Sequence, residues 1–263
     1  MIVEPKREIL LVPLLRVGFR RAWAARDHFI RLGIVPLSVL LLIAVPQLDV
    51  LKAMGTTLDA SGAEQADPGV VLRGLLLGLL DGAALTLFAV NWVRQLTLGA
   101  NAVPGLGLTG AVRHIRFFIA MLVLSIGALL PVFMMAVIAA VALGNLAAGM
   151  FVFFVLGALL WVAVIARFSP SWIGIAIDAR MPLSIAWSRT AGQGFKLLLA
   201  LLAVQVVTMV AHELVSEILA ITGFIAVAPY SFMLLALAIR LVGIAVQISI
   251  LVTAFPYFLR ETV

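Results

Sequence analysis

The chain has 263 residues, 64% of them hydrophobic and 11% charged, with a mean hydropathy of +1.23. Soluble domains carry about 25% charged residues, so a water-soluble globular class is excluded and lipid is the main solvent. The formal charge of +6 is dispersed around apolar runs, which points to a membrane face and away from nucleic acid, and without cysteine there is no disulfide or thiol chemistry to consider.

Residues 1–28 carry internal charges and run into a longer apolar segment without a small-residue cleavage site, so no cleavable signal peptide is expected. From Pro13 onward Leu15, Phe19, Ala22 and Trp23 recur at helical spacing, while Arg16, Arg20 and Asp27 take another side. That pattern predicts a short amphipathic helix lying at headgroup level. The first membrane span follows over 29–48 and the second over 70–91. Asp81 interrupts the second; insertion scales disfavour an acid at a helix centre by about 2.5–3.5 kcal/mol, so it is expected to face protein, water or a headgroup defect. The same helix spaces Gly74, Gly78 and Gly82 four apart with Thr86 next, a small-residue face for close packing, within the fold or in a homo-oligomer. Trp92 and Arg94 at its end, with Arg113 and Arg116 beyond a glycine-rich connection, read as a face that contacts lipid headgroups.

The third and fourth spans cover 117–143 and 148–168, with Pro131 expected to bend the third. Helical form follows throughout, because lipid leaves no partner for an unpaired backbone group and these runs are too long for barrel strands. Arg167, Arg180 and Arg189 add basic groups around a second short amphipathic helix, which starts near Pro182 and sets Leu183, Ala186 and Trp187 opposite Ser184 and Ser188. The fifth span, 195–215, runs out into His212, Glu213 and Glu217. A zinc-protease helix would need a second histidine four residues after His212, where Ser216 stands, so no metal is assigned. The sixth span, 229–257, carries Arg240 and ends near Pro256. Counted from their inner ends, His212, Glu213 and Arg240 lie at comparable heights, about 24–27 Å along their helices. Arg240 is therefore expected to pair with Glu213 or Glu217, with Asp81 somewhat deeper in the same intramembrane polar network.

Of the 18 Lys and Arg residues, all but Lys52, Arg73 and Arg240 fall in the N-terminal segment, the second and fourth connections, or the tail. The first external connection carries Asp49, Asp59, Glu64 and Asp67 instead. This positive-inside asymmetry predicts one all-α integral membrane domain over 1–263, with six transmembrane helices, two short interfacial helices and both termini in the cytoplasm. Trp23 with Trp187, Phe29 with Phe195 and Arg94 with Arg260 form a weak internal repeat relating 17–98 to 181–262 as parallel units.

The stretch Trp92-Val93-Arg94-Gln95-Leu96-Thr97-Leu98-Gly99 and the segment 166–198, ARFSPSWIGIAIDARMPLSIAWSRTAGQGFKLL, resemble an uncharacterised family of bacterial multi-pass inner-membrane proteins. That family is related to the membrane region attached to some glycerophosphodiester phosphodiesterases. Within the second stretch Arg167, Pro170, Ala186, Trp187 and Thr190 carry the resemblance, and the six-span layout extends it over most of the chain. Ala100 departs from the pattern, since such relatives often have Glu after the Leu-Gly pair. The resemblance implies a bacterial inner-membrane location and a role in membrane organisation; it brings no phosphodiesterase activity, because the soluble catalytic domain has no counterpart in this sequence. With no catalytic motif, metal or cofactor called for, the leading expectation is an accessory or scaffold protein. It would organise anionic lipids at its cytoplasmic face, or a larger membrane complex. The alternative is a transporter of a small solute or ion, motivated by Asp81, Arg240 and the repeat.

Overall fold

A computed structural model describes residues 9–59, 68–108, 110–144, 146–179, 181–222 and 228–259. Among these the structure is all helical: α1 (Leu11–Ala24), α2 (Arg26–Asp59), α3 (Pro68–Leu98), a 3₁₀ turn (Ala100–Ala102), α4 (Ala111–Leu143), α5 (Leu146–Ala176), α6 (Leu183–Arg189), α7 (Gly194–Ile221) and α8 (Pro229–Leu259). Six of the helices are long and apolar enough to cross a membrane, over Arg26–Asp49, Leu72–Leu98, Ala111–Leu143, Phe151–Ala176, Gly194–Ile221 and Tyr230–Leu259. Each outruns the expected span at one or both ends, because a helix keeps its backbone paired beyond the hydrocarbon edge. The 31 residues of α8 reach about 46 Å, against a hydrocarbon layer of roughly 30 Å. Pro131 and Pro256 both lie inside continuous helices. Lys6, Arg7, Glu64, Asp67, Arg180 and Arg260 lie outside the described residues.

The spans pack as three antiparallel hairpins, α2 with α3, α4 with α5 and α7 with α8. The hub is α8, which touches α1, α2, α3, α5 and α7. Half of its membrane window is buried, against at most 28% in any other span. The wholly buried side chains gather toward the end of the bundle where the arginines cluster. They include Leu32 on α2, Phe88 and Trp92 on α3, Leu197 and Leu201 on α7, and Leu241 and Ile250 on α8. On α3 before Ala84, on α7 after Val204 and on α8 before Leu241, no described side chain is buried. Toward the opposite end the α4–α5 hairpin instead packs on itself: a Cβ at Gly149 would meet Ala140 Cβ and the Ala136 carbonyl oxygen, and one at Gly157 would touch Leu129 and Val132.

The basic end is locked by aromatic contacts within the α2–α3 hairpin and by polar contacts from it to α8. Phe29 on α2 meets Phe88 and Trp92 on α3 edge-on, with ring centroids 5.6 and 5.9 Å apart, and Phe88 stacks on Trp92. Trp92 Nε1 donates to the Ala245 carbonyl at 3.0 Å and to Ser249 Oγ at 3.1 Å on α8. The expected headgroup anchor at Trp92 is thus a wholly buried strut. Its face of α3 turns toward α8, and the indole N–H finds acceptors there that hydrocarbon could not offer.

The two short helices are packed parts of the bundle. Leu14 and Gly18 of α1 are buried, and a Cβ at Gly18 would come 2.5 Å from Ile250 Cγ1 and 3.0 Å from Ile250 Cα. Leu15 and Ala22 turn partly toward the bundle, whereas Phe19 and Trp23 stay exposed, so the expected apolar face splits between protein and surroundings. Just ahead of α1, the Ile9 N–H donates to Gln193 Oε1 at 3.2 Å. In α6, Ala186 is buried while Leu183 and Trp187 remain exposed.

Candidate functional site

The intramembrane charge pair joins α3 to α8. Arg240 donates through Nη1 to Asp81 Oδ1 at 2.9 Å and through Nη2 to Asp81 Oδ2 at 2.8 Å. Two parallel charge-assisted hydrogen bonds make this the geometry in which a guanidinium neutralises a carboxylate best. Arg240 therefore does not take Glu213 or Glu217 as its partner within the chain. A long arginine side chain absorbs the depth difference that separates Asp81 from Arg240, and α3 is packed directly against α8. The side chain of Asp81 is 17% exposed and that of Arg240 is 45% exposed, so the acid is sheltered while the guanidinium still presents N–H groups outward.

A second polar seam runs between α7 and α8. Gln247 Nε2 donates to Gln205 Oε1 at 3.0 Å. Further along, a Cβ at Gly243 would lie 2.6 Å from Thr208 Oγ1, which shows how closely the two backbones approach there. Glu213 is exposed, and its basic neighbour is His212, with Nδ1 3.9 Å from Oε1; His212 in turn lies against Phe232, with ring centroids 6.5 Å apart. Glu217 is exposed and has no ion-pair partner among the described residues.

The glycine face of α3 is only partly used inside the fold. A Cβ at Gly82 would touch Phe118 of α4 at 3.3 Å, and Thr86 is buried. Gly74 is half-buried, and a Cβ at Gly78 would meet nothing within 4 Å.

At the basic end most arginines are held by the chain itself. Asp178 sits just past α5 with φ +63°, in the left-handed conformation that closes a helix, and the Ala179 N–H returns to the Gly174 carbonyl at 2.8 Å. That turn places its carboxylate between two cations. Arg113 donates through Nε to Oδ1 at 2.9 Å and through Nη2 to Oδ2 at 2.6 Å, while Arg94 Nη1 reaches Oδ2 at 3.2 Å and the Ala176 carbonyl at 3.0 Å. Hydrogen bonding from Arg113 holds the Asp178 carboxyl below the usual aspartate range. Arg167 stacks on Trp187, 4.0 Å from the ring centroid, and its carbonyl accepts from Thr190 Oγ1 at 3.0 Å. Arg189 donates to the Phe258 carbonyl at 2.7 Å, and Arg31 to Gln95 Oε1 at 3.3 Å. Of the basic face expected to meet lipid, Arg94, Arg113, Arg167 and Arg189 are thus engaged with protein, and Arg180 lies outside the described residues. Arg16, Arg20 and Arg116 are exposed and have no partner among the described residues. On the outward side of α1, Val12, Pro13, Arg16, Val17 and Arg20 line an open groove, with Phe19 and Trp23 exposed on the same helix.

Several residues at these sites escape a sequence reading. Gln205 and Gln247 are uncharged and do not break an apolar run as an acid does. Asn91 and Asp178 are legible as members of the polar boundary, Asp178 in one charged region with Arg167, Arg180 and Arg189, but their partners are not. That the Asn91 side chain donates to the Gly107 carbonyl at 2.9 Å and that Asp178 joins Arg94 and Arg113 depends on which loops meet which helix ends. No protein-family model, curated protein or solved structure matches the chain.

Proposed function

We propose that this chain is an accessory or scaffold protein of the bacterial inner membrane, without catalytic activity of its own, that gathers anionic lipids on a cytoplasmic basic face. The observation that carries this reading is the outward side of α1. There two arginines one helical turn apart, Arg16 and Arg20, with no partner among the described residues, flank an apolar groove beside exposed Phe19 and Trp23. Cations beside apolar and aromatic groups match a phospholipid, whose phosphate meets the guanidinium while its glycerol and upper acyl carbons meet Val12 and Val17. The packing of α1 on α8 supports the reading, because a fixed helix presents that groove in one orientation. The positive-inside asymmetry orients the basic end, with both termini, toward the cytoplasm.

The test is lipid retention. Purified from nanodiscs of mixed phosphatidylglycerol and phosphatidylcholine, the protein should carry phosphatidylglycerol in excess of the bulk ratio, and Arg16→Gln with Arg20→Gln should abolish that excess. An unchanged ratio in the double variant would remove the basis for the reading. A second reading, transport of a small solute or ion, is favoured by the half-exposed Arg240 beside Asp81. Ion or solute flux in proteoliposomes that Arg240→Gln abolishes, with the fold retained, would replace the first reading with this one.

A further inference from the structure

We infer that a second copy of this chain docks against the polar flank of the α7–α8 hairpin, forming a dimer about a two-fold axis along the membrane normal. The Gln205–Gln247 hydrogen bond marks that flank. On α7, Met209 and Glu213 follow Gln205 at four-residue spacing, and all three are exposed; on α8, Arg240 precedes Gln247 by two turns on the same face.

Each of these groups is left incomplete within one chain. The bond between the glutamines uses one N–H of Gln247 and the oxygen of Gln205, leaving the Gln205 amide hydrogens and the Gln247 oxygen without partners among the described residues. Arg240 spends two of its five N–H bonds on Asp81, and among the described residues Glu213 has only its neighbour His212. Hydrocarbon offers none of them a partner, and a polar group left unmet in lipid costs several kcal/mol. A two-fold axis along the membrane normal brings together groups at equal depth, and the depths match. From the glutamine bond, Glu213 lies about 12 Å further along α7 and Arg240 about 10 Å further along α8 in the same direction. The spare donors of Gln205 thus meet the spare oxygen of Gln247 on the other copy, and Glu213 meets the half-exposed guanidinium of Arg240 across the axis. One unused donor group, one unused acceptor, one anion and one cation form the self-complementary set that such an isologous interface requires. Intramembrane side-chain hydrogen bonds of this kind are a recognised source of helix association.

The absence of cysteine makes the test direct. Single-cysteine variants Met209→Cys, on the inferred interface, and Val242→Cys, equally exposed but on the far side of α8 from Gln247, are reconstituted at low density in phosphatidylcholine vesicles and treated with a short thiol cross-linker. Met209→Cys should cross-link to a dimer and Val242→Cys should not. Adding Gln205→Leu and Gln247→Leu should raise the dimer dissociation constant about tenfold. Equal cross-linking at both positions, a dimer indifferent to the two leucines, or a monomer at every density, including one holding a lipid headgroup at Gln205, would overturn the inference. The cysteine pattern decides the matter with the native glutamines in place, even if the leucine variant folds poorly.

Discussion

Neutralising Asp81 alone should destabilise the bundle far more than its size implies. In Asp81→Asn the Arg240 guanidinium keeps its charge but loses both short hydrogen bonds, at 2.8 and 2.9 Å, at a depth where hydrocarbon replaces water. Breaking a fully buried pair costs about 3–5 kcal/mol, whereas individual intramembrane hydrogen bonds measure about 0.6–1.7 kcal/mol. With Asp81 sheltered and Arg240 half-exposed and able to snorkel, the loss should fall between these ranges, at about 2–3 kcal/mol. Arg240→Gln should cost a similar amount by leaving a sheltered carboxylate without its counter-ion. The double variant has no orphan charge, so it should recover about 1–2 kcal/mol relative to the sum of the single changes. The assay is reversible unfolding of all four proteins in one lipid composition, with Arg240→Gln combined with Glu217→Gln as the comparison cycle. Additive losses for Asp81 and Arg240 would refute the pairing, as would equal coupling in the Glu217 cycle.

Gly18→Ala should lower stability by about 1–3 kcal/mol, because its Cβ would press on the Ile250 backbone, while Gly78→Ala should be near neutral, as the added methyl meets nothing; thermal unfolding of both variants checks the contrast. Trp92→Phe keeps the ring packing but leaves the Ser249 hydroxyl oxygen short of a donor, while the Ala245 carbonyl still accepts from that hydroxyl at 2.7 Å, for an expected loss of about 1 kcal/mol by the same measurement. Asp178→Asn should lower stability at neutral pH and flatten its acid dependence. The folded carboxyl sits below its unfolded value, so its contribution is complete above the ordinary aspartate range and is lost as pH falls through that range to the lowered one; unfolding midpoints measured down that limb test the sign.

Six spans were legible because a run of about 20 apolar residues leaves a backbone in lipid few other choices. The charge exceptions were legible for the same reason: Asp81 and Arg240 stand out against leucine and alanine. Their partnership was not, because depth counted from helix ends carries an error comparable to the length of an arginine side chain, and nothing in one dimension says that α8 packs on α3. The regular spacing of Gly74, Gly78 and Gly82 drew attention to a face that the fold uses in part. The close approaches at Gly18 and Gly243 came from isolated glycines whose partners lie far along the chain. Trp92 illustrates the same limit, since a tryptophan near a span end reads as an interfacial anchor unless the helix face it occupies is known to meet another helix.

The distribution of burial explains why the polar contacts matter where they do. Toward the basic end, apolar packing and the Asp178, Trp92 and Thr190 hydrogen bonds hold helices together many times over, so no single contact there carries the arrangement alone. Toward the opposite end the buried side chains thin out, and contact lies largely within each hairpin. The Asp81–Arg240 pair is a strong cross-tie in that half, linking the α2–α3 hairpin to the α7–α8 hairpin. Hydrocarbon supplies almost no hydrophobic drive for hairpins to close on one another, so their spacing there rests on such specific contacts. A bundle built this way has a densely packed basic half and an opposite half in which fewer buried contacts join one hairpin to the next. A partner or solute that competes for Arg240 would therefore act on hairpin spacing first and on the packed half last.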